Sequence, residues 1–81
     1  MWIVYLLICF DNSLYTGITN NLEKRLLAHN SHNSKTKYTR TRQPVKLYKS
    51  FPVKNKSEAL KLEYKIKQLS RQEKLDYVQE K

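Results

Sequence analysis

The chain has 81 residues, a net charge of +9 and a pI near 9.8, which fits one small domain over residues 1–81 with a modest core. Cys9 is the only cysteine, so an internal disulfide and a cysteine-based zinc site are excluded. No acidic residue occurs between Glu23 and Glu58, whereas ten Lys or Arg residues do, a pattern that suits a phosphate-rich partner.

Met1 to Phe10 is rich in Trp, Ile, Val, Tyr and Leu and reads as a buried strand, with Cys9 as a small buried hydrophobe near its end. The run is too short to cross a bilayer, which takes about 20 residues. It also lacks the basic leader and small-residue cleavage site of a signal peptide, so the expected setting is cytoplasmic and reducing. Asp11-Asn12-Ser13 is turn chemistry, and Leu14 to Thr19 returns as the second strand of a hairpin. Inside that strand lies Gly17, the only glycine in the chain, where average usage would give roughly six. A glycine kept in a strand interior marks a bulge or a close approach by a ligand or another backbone.

Asn20-Asn21-Leu22-Glu23 starts a helix with an Asn cap and a Glu three residues on, and Leu22, Leu26 and Leu27 form its apolar stripe as far as Asn30. Arg25 and His29, four apart, share one face at the margin between core and solvent. Ser31 to Pro44 is polar, basic and without apolar periodicity, a surface loop, and His32 in it reads as a surface residue. Val45 to Phe51 alternates apolar and polar, a third strand with one buried face ended by Pro52. Asn55 or Ser57 caps a helix whose apolar residues Ala59, Leu60, Leu62, Tyr64, Ile66 and Leu69 cover more than one face. Ser70-Arg71-Gln72-Glu73 is a capping box for a last helix with Leu75 and Val78 inward. The order ββαβαα gives an α+β fold: a small three-stranded, mainly antiparallel sheet with helices packed on it.

The spacing of Tyr5, Tyr15, Gly17 and Arg25 carries the functional reading. Val4-Tyr5 matches the second half of the first GIY-YIG motif, and Tyr15-Thr16-Gly17 matches the second. Arg25 and His29 fall at the helix positions, Tyr38 in the basic loop and Glu63 on the later helix. In this order the chain resembles a small standalone bacterial-type GIY-YIG nuclease domain over nearly its whole length. It departs in carrying Ile3 where the first motif has glycine. No asparagine follows Asn55 either, so the contact that some members make with a later asparagine is absent or replaced.

The resemblance implies a metal-dependent endonuclease that hydrolyses DNA phosphodiester bonds, structure-selective with little sequence specificity, in the manner of DNA-repair enzymes. It implies Tyr5, Tyr15, Arg25, His29 and Glu63 as the catalytic residues and Glu63 as the ligand of one divalent ion, Mg²⁺ with Mn²⁺ as the alternative. The residue chemistry agrees. Arg25 can grip a phosphate bidentately, and His29 can move a proton near neutral pH. A lone phenol titrates near pH ~10, so Tyr5 needs assistance to act as a base. One carboxylate plus waters and substrate phosphate suits Mg²⁺, although Glu63 also reads as a surface acid paired with Lys67 at i+4. Lys35, Lys37, Tyr38, Arg40 and Arg42 would follow a nucleic-acid backbone, which positions a substrate without reading sequence. DNA is favoured over RNA, and neither a membrane nor a protein partner is indicated. The competing readings are a non-catalytic or weakly catalytic binding module of the same fold, and an unrelated small basic RNA-binding protein.

Overall fold

The computed structural model describes residues 1–31 and 41–80 of the chain. Strands β1 (Trp2–Cys9), β2 (Leu14–Thr19) and β3 (Val45–Val53) and helices α1 (Leu22–His29), α2 (Lys56–Lys67) and α3 (Arg71–Glu80) follow in the order ββαβαα. The three strands form one antiparallel sheet ordered β2-β1-β3, an α+β fold.

β1 is the middle strand, which explains its unbroken apolar run. Val4 and Leu6 point to one face, into a cluster with Ala59 and Ile66 of α2 and with Phe51 and Tyr77 at its margin. Tyr5, Leu7 and Cys9 point to the other, where Leu22 and Leu26 of α1 and Val45 of β3 cover them. Full burial of an aliphatic side chain such as Leu6 or Ile66 contributes roughly 1.5–3 kcal/mol.

Local signals set the element ends. In the β1–β2 turn the Asp11 carboxylate accepts from both the amide and the hydroxyl of Ser13, at 3.1 and 2.6 Å. Asn12 takes a left-handed φ of 66°, which its short polar side chain tolerates. The cap of α1 is Asn21, one residue later than expected, accepting from the Lys24 amide. Asn55 caps α2 in the same way through the Glu58 amide. Ser70 and Glu73 form the reciprocal capping box of α3. Tyr77 is the α3 residue seen packing inward, its ring 5.8 Å from that of Phe51; Leu75 is half-buried, and Val78 lies outside the described side chains.

β3 departs from simple alternation. Leu6 pairs with Lys49 but Leu7 with Leu47, so Tyr48 is an extra residue and the strand bulges there. The bulge reverses the parity: Val45 and Leu47 lie on the α1 face, whereas Phe51 and Val53 lie on the α2 face. Pro52 does not end the strand. It sits within it, tolerated because β3 is an edge. Leu27 is 70% exposed and is not part of the apolar stripe; Leu60 and Tyr64, at 46% and 68%, stand away from the core of α2.

Candidate active site

Register fixes the first part of the site. Tyr5 pairs with Gly17 and Leu7 with Tyr15, so both tyrosines emerge on the α1 face, diagonal to each other rather than directly opposite. The Tyr5 ring lies over Gly17. A methyl group built there would stand 2.5 Å from the Tyr5 hydroxyl oxygen, 2.6 Å from its Cζ and 3.2 Å from Cε2 of Tyr15. The single glycine therefore makes room for a side chain of its own sheet; its φ is not left-handed and the β1–β2 register is unbroken through it.

Above the two phenols sits His29, the last residue of α1. Its Nε2 lies 2.9 Å from the Tyr5 hydroxyl, a buried hydrogen bond whose direction follows the imidazole tautomer. Edge-to-face contacts place the His29 ring centroid 5.8 Å from that of Tyr5 and 5.1 Å from that of Tyr15. Tyr5 and His29 are each only 2% exposed, so the imidazole belongs to the buried face and not to a solvent margin. At about 100° per residue, Leu22, Leu26 and His29 fall on one narrow side of α1 and Leu27 far from it. That geometry accounts for both the buried histidine and the exposed leucine.

Two polar side chains missed in the sequence hold this end of α1. Asn30 brackets the backbone of Val45, donating to its carbonyl at 3.1 Å and accepting from its amide at 2.8 Å. The Gln43 amide donates to the carbonyls of His29 and Ser31, at 2.8 and 2.6 Å. No local motif announces these long-range contacts, and together they fix the imidazole above Tyr5.

Burial sets the electrostatics. Desolvation holds the His29 pKa below its ordinary value, and the nearby Arg25 guanidinium lowers it further. Desolvation also pushes the Tyr5 phenol well above its ordinary value; Tyr15 and Glu63 add to the rise and Arg25 opposes it. Near pH 7 the pair is thus neutral imidazole and neutral phenol. Arg25 itself is exposed, and its guanidinium makes no ion pair among the described residues. A groove of about 260 Å³ runs beside it, lined by Thr19, Asn20, Asn21, Lys24, Arg25 and Ala28.

Glu63 comes from α2, which packs against the opposite sheet face and against β2. Its charge is felt at Tyr5. The carboxylate is 18% exposed and 3.2 Å from the Lys67 ammonium, so the i+4 pairing open from the sequence is formed. No group of three His, Cys, Asp or Glu side chains able to hold a metal occurs among the described residues. A lone, half-buried carboxylate fits a hydrated Mg²⁺ completed by water and substrate oxygens. It does not fit a site built wholly from protein ligands. On the same side of β2 as α2, the Thr16 hydroxyl is buried and has no hydrogen-bond partner among the described residues.

Lys35, Lys37, Tyr38 and Arg40 lie outside the described residues. Arg42 is half-buried, its Nε 3.2 Å from Asp11, and its backbone carbonyl accepts from the Phe10 amide. It ties the segment before β3 to the hairpin turn.

Two phenols and an imidazole in contact, next to an exposed guanidinium with no ion pair among the described residues and with a carboxylate on the helix across the sheet, form a constellation suited to phosphate chemistry. The model for the GIY-YIG catalytic domain matches residues 1–76. A UPF0213 protein of Clostridium perfringens is 54% identical over 78 residues, covering 96% of this chain and 83% of the relative. Another, from Staphylococcus haemolyticus, is 49% identical over 96% of this chain and 94% of its own. The solution NMR structure of a UPF0213 protein from Bacillus halodurans superimposes with a TM-score of 0.64 at 39% identity, covering 100% of this chain and 86% of that one. The chain therefore belongs to the GIY-YIG family. Membership points to a nuclease superfamily and to a nucleic-acid substrate. No helix among the described residues is long and apolar enough to cross a membrane.

Proposed function

We propose that residues 1–81 act as one cytoplasmic, divalent-metal-dependent endonuclease domain that hydrolyses DNA phosphodiester bonds, with Tyr5, Tyr15, Arg25, His29 and Glu63 at its site. The observation that carries the reading is the buried 2.9 Å contact between Tyr5 and His29, next to an exposed Arg25.

Burial keeps His29 neutral and therefore able to accept a proton. With its own proton on Nδ1, His29 presents the Nε2 lone pair to Tyr5, and the Tyr5 hydroxyl donates to it. As an attacking water loses a proton to the Tyr5 oxygen, the Tyr5 proton passes to Nε2. The phenol stays neutral, which its raised pKa requires. Tyr15 buttresses the imidazole edge-on. Arg25 binds two phosphate oxygens and offsets the charge that gathers on them in the transition state. Glu63 would hold the divalent ion, which when bound supplies Lewis-acid polarisation of the phosphate and stabilises the leaving oxygen. The segment containing Lys35, Lys37, Tyr38, Arg40 and Arg42 would hold the backbone of the substrate.

Nicking of supercoiled DNA in the presence of Mg²⁺ tests this directly. The wild-type protein should nick, and Glu63→Gln should lose most of the rate while still binding DNA. Arg25→Ala should weaken both binding and turnover, because a phosphate meets it in ground and transition states alike. Equal rates for wild type and Glu63→Gln would remove the metal role. One observation favours a second reading, a DNA- or RNA-binding module without catalysis: Glu63 already has a counter-ion in Lys67. Absence of cleavage on every DNA form would select it.

A further inference from the structure

α2 carries an aromatic side chain that the fold does not use. Tyr64 is 68% exposed and Leu60, one turn earlier, is 46% exposed. Among the described residues the Tyr64 side chain makes no hydrogen bond, ring contact or cation–π contact; its backbone carbonyl accepts from the Gln68 amide. At 3.6 residues per turn, Lys56, Leu60, Glu63, Tyr64 and Lys67 fall within about 100° of one side of the helix, while Ala59, Leu62 and Ile66 occupy the side turned to the sheet. The exposed ring and its apolar neighbour are therefore continuous with Glu63, the one carboxylate assigned to the site.

The cations around the ring are largely committed. Lys56 lies over the Trp2 ring at 5.5 Å, Lys65 over Tyr77 at 5.7 Å, and Lys67 against Glu63 at 3.2 Å. The ridge thus offers a flat π-face rather than additional free charge, while the chain as a whole, at +9, is complementary to a polyanion. A nucleobase stacks on such a face, and every base can do so. Paired bases inside a duplex have both faces covered, so only an unpaired or extruded base can reach the ring.

We propose that Tyr64, backed by Leu60, is a stacking platform for an unpaired base of the bound strand, on the helix that carries Glu63. The preferred substrate is accordingly DNA with a single-stranded segment, such as a fork or flap, and not continuous duplex. This assignment rests on the nuclease reading above and deepens it.

The test is equilibrium binding of labelled forked and fully paired DNA of equal length in EDTA, so that cleavage plays no part. Wild type, Tyr64→Ala and Tyr64→Phe are compared, with thermal melting as the control for folding. Wild type should bind the fork more tightly than the duplex. Tyr64→Ala should weaken fork binding on the order of tenfold and leave duplex binding unchanged, the expected scale for removing one base–aromatic stack. Tyr64→Phe, which keeps the ring and removes only the hydroxyl, should retain the preference for the fork. Equal loss on both DNAs, or no loss on either, would overturn the platform while leaving the nuclease reading intact. A wild-type protein that binds no DNA overturns both. Tyr64-dependent binding that is stronger for single-stranded RNA than for the fork would overturn the choice of DNA. A wild-type dimer converted to monomer by Tyr64→Ala would reassign the ridge to self-association and overturn the platform.

Discussion

Gly17→Ala should destabilise the protein strongly, and the main reason is one neighbour, the Tyr5 ring. The added methyl would stand 2.5 Å from the Tyr5 hydroxyl oxygen and 2.6 Å from Cζ, where comfortable carbon contacts lie at about 3.5–4.0 Å. The Tyr5 ring must therefore move by about 1 Å. Both Tyr5 and His29 are 2% exposed, so the displaced hydroxyl gains little solvent in place of Nε2. Losing that bond leaves a buried donor and acceptor unpaired, at roughly 1–3 kcal/mol each, and overpacking adds about 1–3 kcal/mol. A central figure near 6 kcal/mol is a large part of the total stability of a chain of 81 residues, about 4–12 kcal/mol at ~0.05–0.15 kcal/mol per residue. β-propensity alone predicts the opposite sign, most clearly for Gly17→Val.

The assay is urea unfolding of the wild type, Gly17→Ala, Tyr5→Leu and the double variant. Gly17→Ala should lower the midpoint at unchanged m-value. In the Tyr5→Leu background, where no ring crosses the glycine, the same change should cost less than about 1 kcal/mol, giving a coupling of ~2 kcal/mol or more between the sites. An equal cost in both backgrounds would refute the close approach as the reason for this glycine.

The Tyr5–His29 pair also shapes the pH dependence of folding. The His29 pKa is lowered in the fold, so this contribution to stability is complete above the unfolded value of about 6.5 and is lost as pH falls below it, with a slope approaching ~1.4 kcal/mol per pH unit. The Tyr5 pKa is raised, so its contribution is lost as pH rises past about 10. Urea midpoints across pH 4–11 check both limbs, and an acid limb that His29→Gln leaves unchanged would refute the first. Lys67→Met should tighten Mn²⁺ binding measured calorimetrically by roughly 1.5- to 5-fold, the equivalent of an exposed ion pair of about 0.2–1 kcal/mol; unchanged or weaker binding refutes competition for Glu63. Neutralising Lys35, Lys37, Arg40 and Arg42 together should weaken DNA binding and flatten its dependence on salt, by about 0.9 log units of slope for each B-DNA phosphate that the protein no longer neutralises. An unchanged slope would show that these cations do not touch phosphate.

What the sequence made legible is mostly local. The element order, the Asn55 cap and the Ser70–Glu73 box depend on residues within a few positions of one another, and a four-residue connection between β1 and β2 fixes the register that puts Tyr5, Tyr15 and Gly17 on one face. Parity failed in β3 because one extra residue at Tyr48 reverses the strand, and nothing in Val45 to Phe51 marks it. The margin position expected for His29 fails because its angle falls between those of Arg25 and Leu22, on the side of α1 turned to the sheet. Asn30 and Gln43 escaped notice because their partners lie across the fold, on backbone atoms that carry no sequence signature.

The opposed shifts within the buried pair bear on how it would work. A phenol made less acidic beside an imidazole made less basic is a poor store of charge, since neither ionised form is favoured at neutral pH. It is better suited to handing a proton from solvent-side water through Tyr5 to Nε2, because the phenol never has to remain ionised. Beyond desolvation, the field of Arg25 weakens His29 as a base, and among the described residues the Arg25 guanidinium makes no ion pair. A phosphate bound there would offset that field and raise the proton affinity of His29. The acceptor would thus be strengthened by the substrate whose attacking water it serves, while in the free protein the same guanidinium holds the imidazole neutral and ready to accept.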